Sequence, residues 1–199
     1  MSVPQPRTGV RVVRADAAPA DVAGLLLTPG ASATRDHSTL VALDDALVGQ
    51  VPVRRVDLPR GKAAVARVRA EADAFAAELG VPTGRLVVGG RSFGGRMASV
   101  AVAEGLDVAG LLLLSYPLHP PGEPEKLRTA HLPDVRVPVL AVSGERDPFG
   151  SPTELAHHLT ALGGPWTLAL VPGTHAPADG AVVEAVRLWW PDPAAAAAP

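Results

Sequence analysis

The sequence predicts an α/β fold, a mostly parallel sheet of about 6–7 strands flanked by helices, and three observations carry that prediction. Seven apolar runs of strand length recur along the 199 residues. Segments of helical periodicity lie between several of them. The core-forming residues are mainly Ala, Val and Leu, with only three Phe, three Trp and one Tyr. Strands buried on both faces of a parallel sheet read as continuous aliphatic runs, and strands alternating with helices build βαβ units. A chain of this length holds one domain, expected over residues 1–191, and leaves little for a second.

The expected strands are Val10 to Val13, Ala23 to Leu27, Val51 to Val56, Arg85 to Val88, Ala109 to Leu114, Val137 to Val142 and Thr167 to Val171. The first is expected at an antiparallel edge. After Lys62, the residues Val65, Val68, Ala72, Phe75 and Leu79 recur at steps of three and four, and Gly80 with Pro82 beyond gives the C-terminal punctuation of a helix. A second helix opens at Ser151-Pro152-Thr153-Glu154, where Ser151 caps, Pro152 suits the first turn and Glu154 completes a capping box. Leu155, Leu159 and Leu162 mark its buried face. A last helix is expected from about Ala181 to Trp190, halted by Pro191. Residues 192–199 form an Ala/Pro tract with no core to join and are expected to be a disordered tail. No linker divides the chain, and no repeat of 20 to 50 residues is visible.

Composition excludes several function classes. A net charge of −2, with 16 arginines scattered beside Lys62 and Lys126, offers no clustered positive field for nucleic acid or an anionic membrane. Cysteine is absent, so there is no disulfide, thiolate metal site or thiol nucleophile. The histidines show no metal-ligand spacing, and no metal or cofactor is expected. Residues Met1 to Arg14 lack the apolar stretch of a cleaved leader, and runs such as Leu111 to Leu114 are too short to span a bilayer. The expectation is a cytoplasmic monomer or homodimer.

Chemistry enters at Gly89-Gly90-Arg91-Ser92-Phe93-Gly94-Gly95, directly after Leu86-Val87-Val88 and before a helix-compatible stretch. G-x-S-x-G in that setting reads as a nucleophile elbow, a strained strand-to-helix turn that tolerates no side chain close by. Gly90 and Gly94 leave that room. Two further residues follow expected strands in the order such a site requires. Asp147 comes after Val137 to Val142 through Ser143-Gly144-Glu145-Arg146, and His175 comes after Thr167 to Val171 through Pro172-Gly173-Thr174. A neutral hydroxyl is a poor nucleophile, so an imidazole must take its proton as attack begins, and a carboxylate must hold that ring in one tautomer. Glu145 is a rival acid, and His37, His119, His131, His157 and His158 are rival bases. The pair His157-His158 falls on an expected helix, with one ring toward solvent and the other toward the interface, which suits a structural role.

An oxyanion needs two backbone donors. The amide of Phe93 is the first candidate, and the loop Thr28-Pro29-Gly30-Ala31-Ser32 supplies the second, at Ala31, because Pro29 cannot donate.

Three segments carry a resemblance: Gly89 to Ser99, Tyr116-Pro117-Leu118-His119-Pro120-Pro121-Gly122 with Glu125 to Thr129 after it, and Gly144-Glu145-Arg146-Asp147-Pro148-Phe149-Gly150. With them the chain resembles small, lidless α/β-hydrolase-fold proteins related to dienelactone hydrolase, in the group that includes testis-expressed hydrolase-like proteins and a subunit of the NSL lysine-acetyltransferase complex. The resemblance runs from about Leu25 to His175. It implies an α/β-hydrolase fold without a cap domain, nucleophile Ser92, acid Asp147 and base His175. The chain departs from the pattern at Pro29-Gly30, where similar hydrolases usually carry His-Gly.

Tyr116, Pro117 and His119 leave a central strand near Ser92 and are expected to wall the substrate pocket. Arg91 and Arg96 flank the elbow. Each could bind an acidic group of the substrate, although arginines so placed more often pair with a nearby carboxylate. The leading functional expectation is a serine hydrolase that cleaves a small carboxylic ester, lactone or thioester through an acyl-enzyme in an open site. The competing expectation is a non-catalytic interaction module on the same framework.

Overall fold

The computed structural model describes residues 9–15 and 18–190; the expected tail and Pro191 lie outside them. The apolar runs form seven strands: β1 (Arg11–Arg14), β2 (Gly24–Thr28), β3 (Val53–Arg55), β4 (Leu86–Arg91), β5 (Gly110–Leu114), β6 (Val139–Gly144) and β7 (Trp166–Val171). They make one sheet in the order β1-β7-β6-β5-β4-β2-β3. As expected, β1 pairs antiparallel with β7 at the edge, and all other pairs are parallel. The third strand is shorter than its apolar run because Pro52 has no N–H to give a ladder.

Among the described residues five α-helices cover the sheet: α1 (Ser38–Leu47), α2 (Ala63–Leu79), α3 (Phe93–Ala103), α4 (Pro152–Leu159) and α5 (Asp179–Trp189). Alternate strand residues face opposite layers, as a pleat requires. Leu111 and Leu113 of β5 join Val68, Ala72, Phe75, Met97, Leu155 and Leu159 from α2, α3 and α4. Leu112 and Leu114 join Leu40, Leu43 and Leu47 of α1 and Val182, Val186 and Trp189 of α5 on the other face. Each fully buried leucine contributes roughly 1.5–3 kcal/mol, so these two layers supply most of the stabilisation.

Local signals explain where the helices begin and end. Gly80 closes α2 in the left-handed conformation (φ 68°). Ser151 and Glu154 form the reciprocal capping box of α4, with Pro152 in its first turn. The final helix starts two residues earlier than expected, at Asp179, whose carboxylate suits a helix N-terminus. The sequence did not announce α1. Its cap is His37, whose ring accepts from the Thr39 amide at 3.3 Å, and histidine is not among the residues that mark a helix start.

This topology places the site. From β2 the chain goes outward to edge strand β3 and then returns to β4, so α1 and α2 lie on opposite faces. Loops leaving β2 and β4 therefore part at the sheet's carboxyl edge, where open α/β sheets bind ligands. The segment from Ser115 to Pro138 contains only a short 3-10 turn at Leu132–Asp134, so no cap domain arises there.

Candidate active site

Strand β4 ends at Arg91, and Ser92 turns the chain into α3 with φ 49° and ψ −113°. For a residue with a Cβ this backbone costs on the order of 1–3 kcal/mol. Neighbouring glycines make the turn possible. A Cβ on Gly90 would lie 2.1 Å from the Thr28 carbonyl oxygen, and one on Gly94 would lie 2.5 Å from the Pro29 carbonyl oxygen. The Ser92 amide donates to the Leu114 carbonyl at 2.8 Å, which ties the strained turn to the neighbouring strand.

Ser92, His175 and Asp147, far apart in sequence, form one hydrogen-bonded chain. Ser92 Oγ lies 2.9 Å from His175 Nε2. His175 Nδ1 lies 2.8 Å from Asp147 Oδ2 and 3.0 Å from Oδ1. The Asp147 side chain is only 1% exposed, and its charge is met by the Phe149 amide at 2.9 Å and by the Ser143 hydroxyl at 3.4 Å. Rival Glu145 points away and pairs with Arg11 at 3.6 Å on the surface.

The loops that carry the acid and the imidazole are knitted together. Arg146 N donates to the Gly173 carbonyl at 2.9 Å and Glu145 N to Val171 at 2.9 Å. Gly144 lets them close, since a Cβ there would meet the Thr174 carbonyl oxygen at 2.1 Å. Two further residues hold the ring. Phe149 lies against His175 with ring centroids 4.1 Å apart, and a guanidinium nitrogen of Arg91 donates to the His175 carbonyl at 2.9 Å. Neither contact was foreseen. Arg91 takes this backbone anchor and not the carboxylate partner that arginines so placed more often have; burial, followed by smaller effects of Asp147 and Asp179 in the opposite direction, leaves its pKa lowered. A basic residue beside the elbow was the only sequence signal.

The Phe93 amide is the first of α3 and has no carbonyl one turn back to bond. The Ala31 amide lies in the turn that Ala33 N closes on the Gly30 carbonyl at 3.1 Å. Gly30 packs directly on the elbow: a Cβ there would lie 3.8 Å from Ser92 Cβ. Gly30, Ala31, Leu58, Pro59 and Phe93 line a cavity of about 360 Å³. A second cavity of about 620 Å³ shares Gly61 and Phe93 with it and runs between α2 and α3.

Tyr116, Pro117 and His119 require a correction, because they face the interior and line neither cavity. Tyr116 is 1% exposed, its hydroxyl donates to the Arg128 carbonyl at 2.7 Å, and burial pushes its phenol up to about 12. Pro117 is buried. His119 is buried with Nδ1 2.7 Å from the Pro120 carbonyl and Nε2 3.4 Å from Glu154 Oε1. The cause is the segment after β5, which folds back so that Arg128 N donates to the Leu118 carbonyl at 2.8 Å and covers these side chains. None of the other histidines is hydrogen-bonded to Ser92 among the described residues. His37 caps α1, His131 bonds Ser99 at 2.7 Å, and on α4 His157 is exposed while His158 is half-buried.

A sheet of this order with a bonded Ser-His-Asp chain at its carboxyl edge defines a class, and comparison with known proteins agrees. The chain belongs to the alpha/beta hydrolase domain family, whose model matches residues 21–175. Its fold is similar to that of Est1E from Butyrivibrio proteoclasticus, solved with ferulic acid, at TM-score 0.70 and 17% identity over 90% of this chain and 92% of that one. Dienelactone hydrolase from Anabaena variabilis is similar at TM-score 0.66 and 19% identity, covering 86% and 87%. The RedJ thioesterase of prodiginine biosynthesis in Streptomyces coelicolor is similar at TM-score 0.61 and 20% identity, covering 90% and 97%. Among the described residues no helix is long and apolar enough to cross a membrane.

Proposed function

We propose that the protein is a serine hydrolase that cleaves a small carboxylic ester, lactone or thioester through an acyl-enzyme. The observation that carries this reading is the 2.9 Å contact between Ser92 Oγ and His175 Nε2, continued at 2.8 Å to a buried Asp147. As Ser92 Oγ bonds to the substrate carbonyl carbon, its proton passes to His175 Nε2, and Asp147 stabilises the imidazolium through Nδ1–H. The carbonyl oxygen becomes an oxyanion that the Phe93 and Ala31 amides stabilise. When the carbonyl re-forms, the bond to the leaving oxygen or sulfur breaks, and that atom takes the proton from His175. Water then attacks the acyl-serine, with His175 again acting as base, and releases the carboxylic acid and free Ser92.

Pro29 in place of the usual histidine is compatible with this scheme, because the proposed donors are the amides of Phe93 and Ala31, and the Pro29 carbonyl lies against Gly94. Asp21 and Ser115 share the positive φ of Ser92, but Ser92 is the one whose hydroxyl meets an imidazole held by a buried carboxylate, and this favours catalysis over the interaction-module reading. The test is covalent labelling with a fluorophosphonate probe. Labelling of the intact protein is expected, together with its loss in Ser92→Ala and in His175→Ala. Absence of labelling, or labelling that persists in Ser92→Ala, would sink the assignment.

A further inference from the structure

The groove between α2 and α3 begins at Phe93 and holds cations that nothing in the proposed reaction uses. One stripe of α3, Phe93, Arg96, Met97 and Val100, forms a wall, and Lys62, Val65, Ala66 and Arg69 of the α2 side face it. Spacings of three and four put each set on a single helical face. The walls carry three cations, Lys62, Arg69 and Arg96, against one carboxylate, Glu104. Arg69 is already committed, to Glu104 at 3.9 Å and to the Ala101 carbonyl at 2.8 Å.

Lys62 and Arg96 are not committed. Among the described residues neither is in an ion pair, and Arg96 Nε is shielded from solvent with no hydrogen-bond acceptor. An unsatisfied buried donor on a charged group is costly to maintain. The charge of Arg96 bears on Tyr116, Arg128 and His131, and is a secondary cause, after burial, of the lowered pKa of the last two. Three residues of helix, a rise of about 4.5 Å, separate Arg96 from the Phe93 amide proposed to stabilise the oxyanion. The side chains beside Arg96 on this wall, Phe93, Met97 and Val100, are apolar.

We propose that this groove binds a carboxylate carried by the substrate, so that the protein acts on esters or thioesters bearing an anionic group set off from the reacting carbonyl by a short apolar chain. Arg96 receives the carboxylate through its guanidinium fork, which matches two carboxylate oxygens, and Lys62 adds charge at the mouth. The inference rests on the hydrolase reading above and goes beyond it by naming the substrate class. Since the whole chain carries a net charge of −2, a preference for an anionic substrate cannot come from the overall charge.

The test compares mono-4-nitrophenyl adipate with its methyl ester, which is identical at the reacting carbonyl. 4-Acetoxybenzoate is compared with methyl 4-acetoxybenzoate, which puts the charge on the leaving group. In one of the two pairs kcat/KM is expected to favour the carboxylate by at least tenfold at low ionic strength. That ratio is expected to fall toward 1 with added salt and in Arg96→Gln, and to be partly kept in Arg96→Lys. Ratios at or below 1 in both pairs overturn the inference, as does a preference that survives Arg96→Gln combined with Lys62→Gln. If no ester is cleaved and Ser92 takes no label, the hydrolase reading has failed, and the groove is then read by calorimetry of the intact protein with monomethyl adipate. Binding that Arg96→Gln abolishes keeps the anion site, and no measurable heat overturns it.

Discussion

Helix α3 carries two regions built on opposite rules. At its first turn the space around Ser92 is specified by backbone: Gly90 and Gly94 lie against Thr28 and Pro29 with no room for a methyl group, and Ser92 sits in a strained conformation fixed by its neighbours. One turn further, facing α2, the groove is open, and two cations lack partners among the described residues. The first arrangement suits parts that must not move while charge develops. The second suits recognition, where the missing partner arrives with the ligand. If the contrast is sound, substitutions at the elbow and its relay must cost far more than substitutions in the groove.

The largest effect is expected from the relay. Asp147→Asn keeps the shape of the side chain but removes the charge that favours the Nδ1–H tautomer of His175, and an amide nitrogen placed there would donate where the ring needs an acceptor. A fall in kcat of about 10⁴-fold is expected, the size seen when the same change is made in a serine-protease triad. The measurement is hydrolysis of a 4-nitrophenyl ester, with circular dichroism as a check on folding. A loss below tenfold in a folded protein would remove Asp147 from the relay and return the acid's role to another group.

Next comes the packing of the elbow. In Gly94→Ala the new methyl group would lie 2.5 Å from the Pro29 carbonyl oxygen and from Thr28 Oγ1, so the loop that carries Ala31 has to shift. Losing the aim of one oxyanion donor costs roughly 10²–10³-fold in kcat, and a lower melting temperature should accompany it. Gly180→Ala is the paired control. It lies on α5 with nothing within 4 Å of the added carbon, and is expected to leave kcat unchanged and to raise stability by up to about 1 kcal/mol through helix propensity. Equal behaviour of the two variants would show that the elbow is not packed as described.

How much of this was legible follows from the range of each interaction. The parallel sheet, its antiparallel edge strand, the boundaries of α2 and the start of α4 are written in local periodicity and caps, so short windows of sequence reveal them, whereas α4 ends at Leu159, short of the Leu162 expected on its buried face. Candidate residues Ser92, Asp147 and His175 could be nominated because each follows a strand in a fixed order. The supports of His175 were not legible. Phe149 reaches the ring, and Arg91 the His175 carbonyl, only through the way two loops fold over the sheet edge. Tyr116, Pro117 and His119 were misread for the same reason. Their position after β5 put them near the site, but the backbone bond from Arg128 to Leu118 turns that segment inward. The uncommitted state of Arg96 is also a tertiary fact, because it depends on which carboxylates fail to reach it.

The smallest effect tests the groove's charge directly. His131 sits behind α3 with Nε2 2.7 Å from Ser99 Oγ. Burial, and after it the positive charge of Arg96, pushes its imidazole from the ordinary 6.5 down to about 4. Between those values an unfolded chain takes up a proton that the folded protein refuses. Stability therefore rises with pH through this window, is complete above 6.5, and is lost as pH falls toward 4. Replacing Arg96 by glutamine removes the charge but leaves most of the burial, so the His131 titration followed by NMR is expected to move up by part of the difference, and the acid loss of stability in urea unfolding should still begin near 6.5 but be complete at a higher pH and smaller in total. If the titration does not move, Arg96 is not the source of an uncompensated field, and the contrast between a satisfied elbow and an open groove loses its electrostatic half. If it moves up in the variant, and also in the native protein on adding monomethyl adipate, the same arginine is shown to be both the field's source and the ligand's partner.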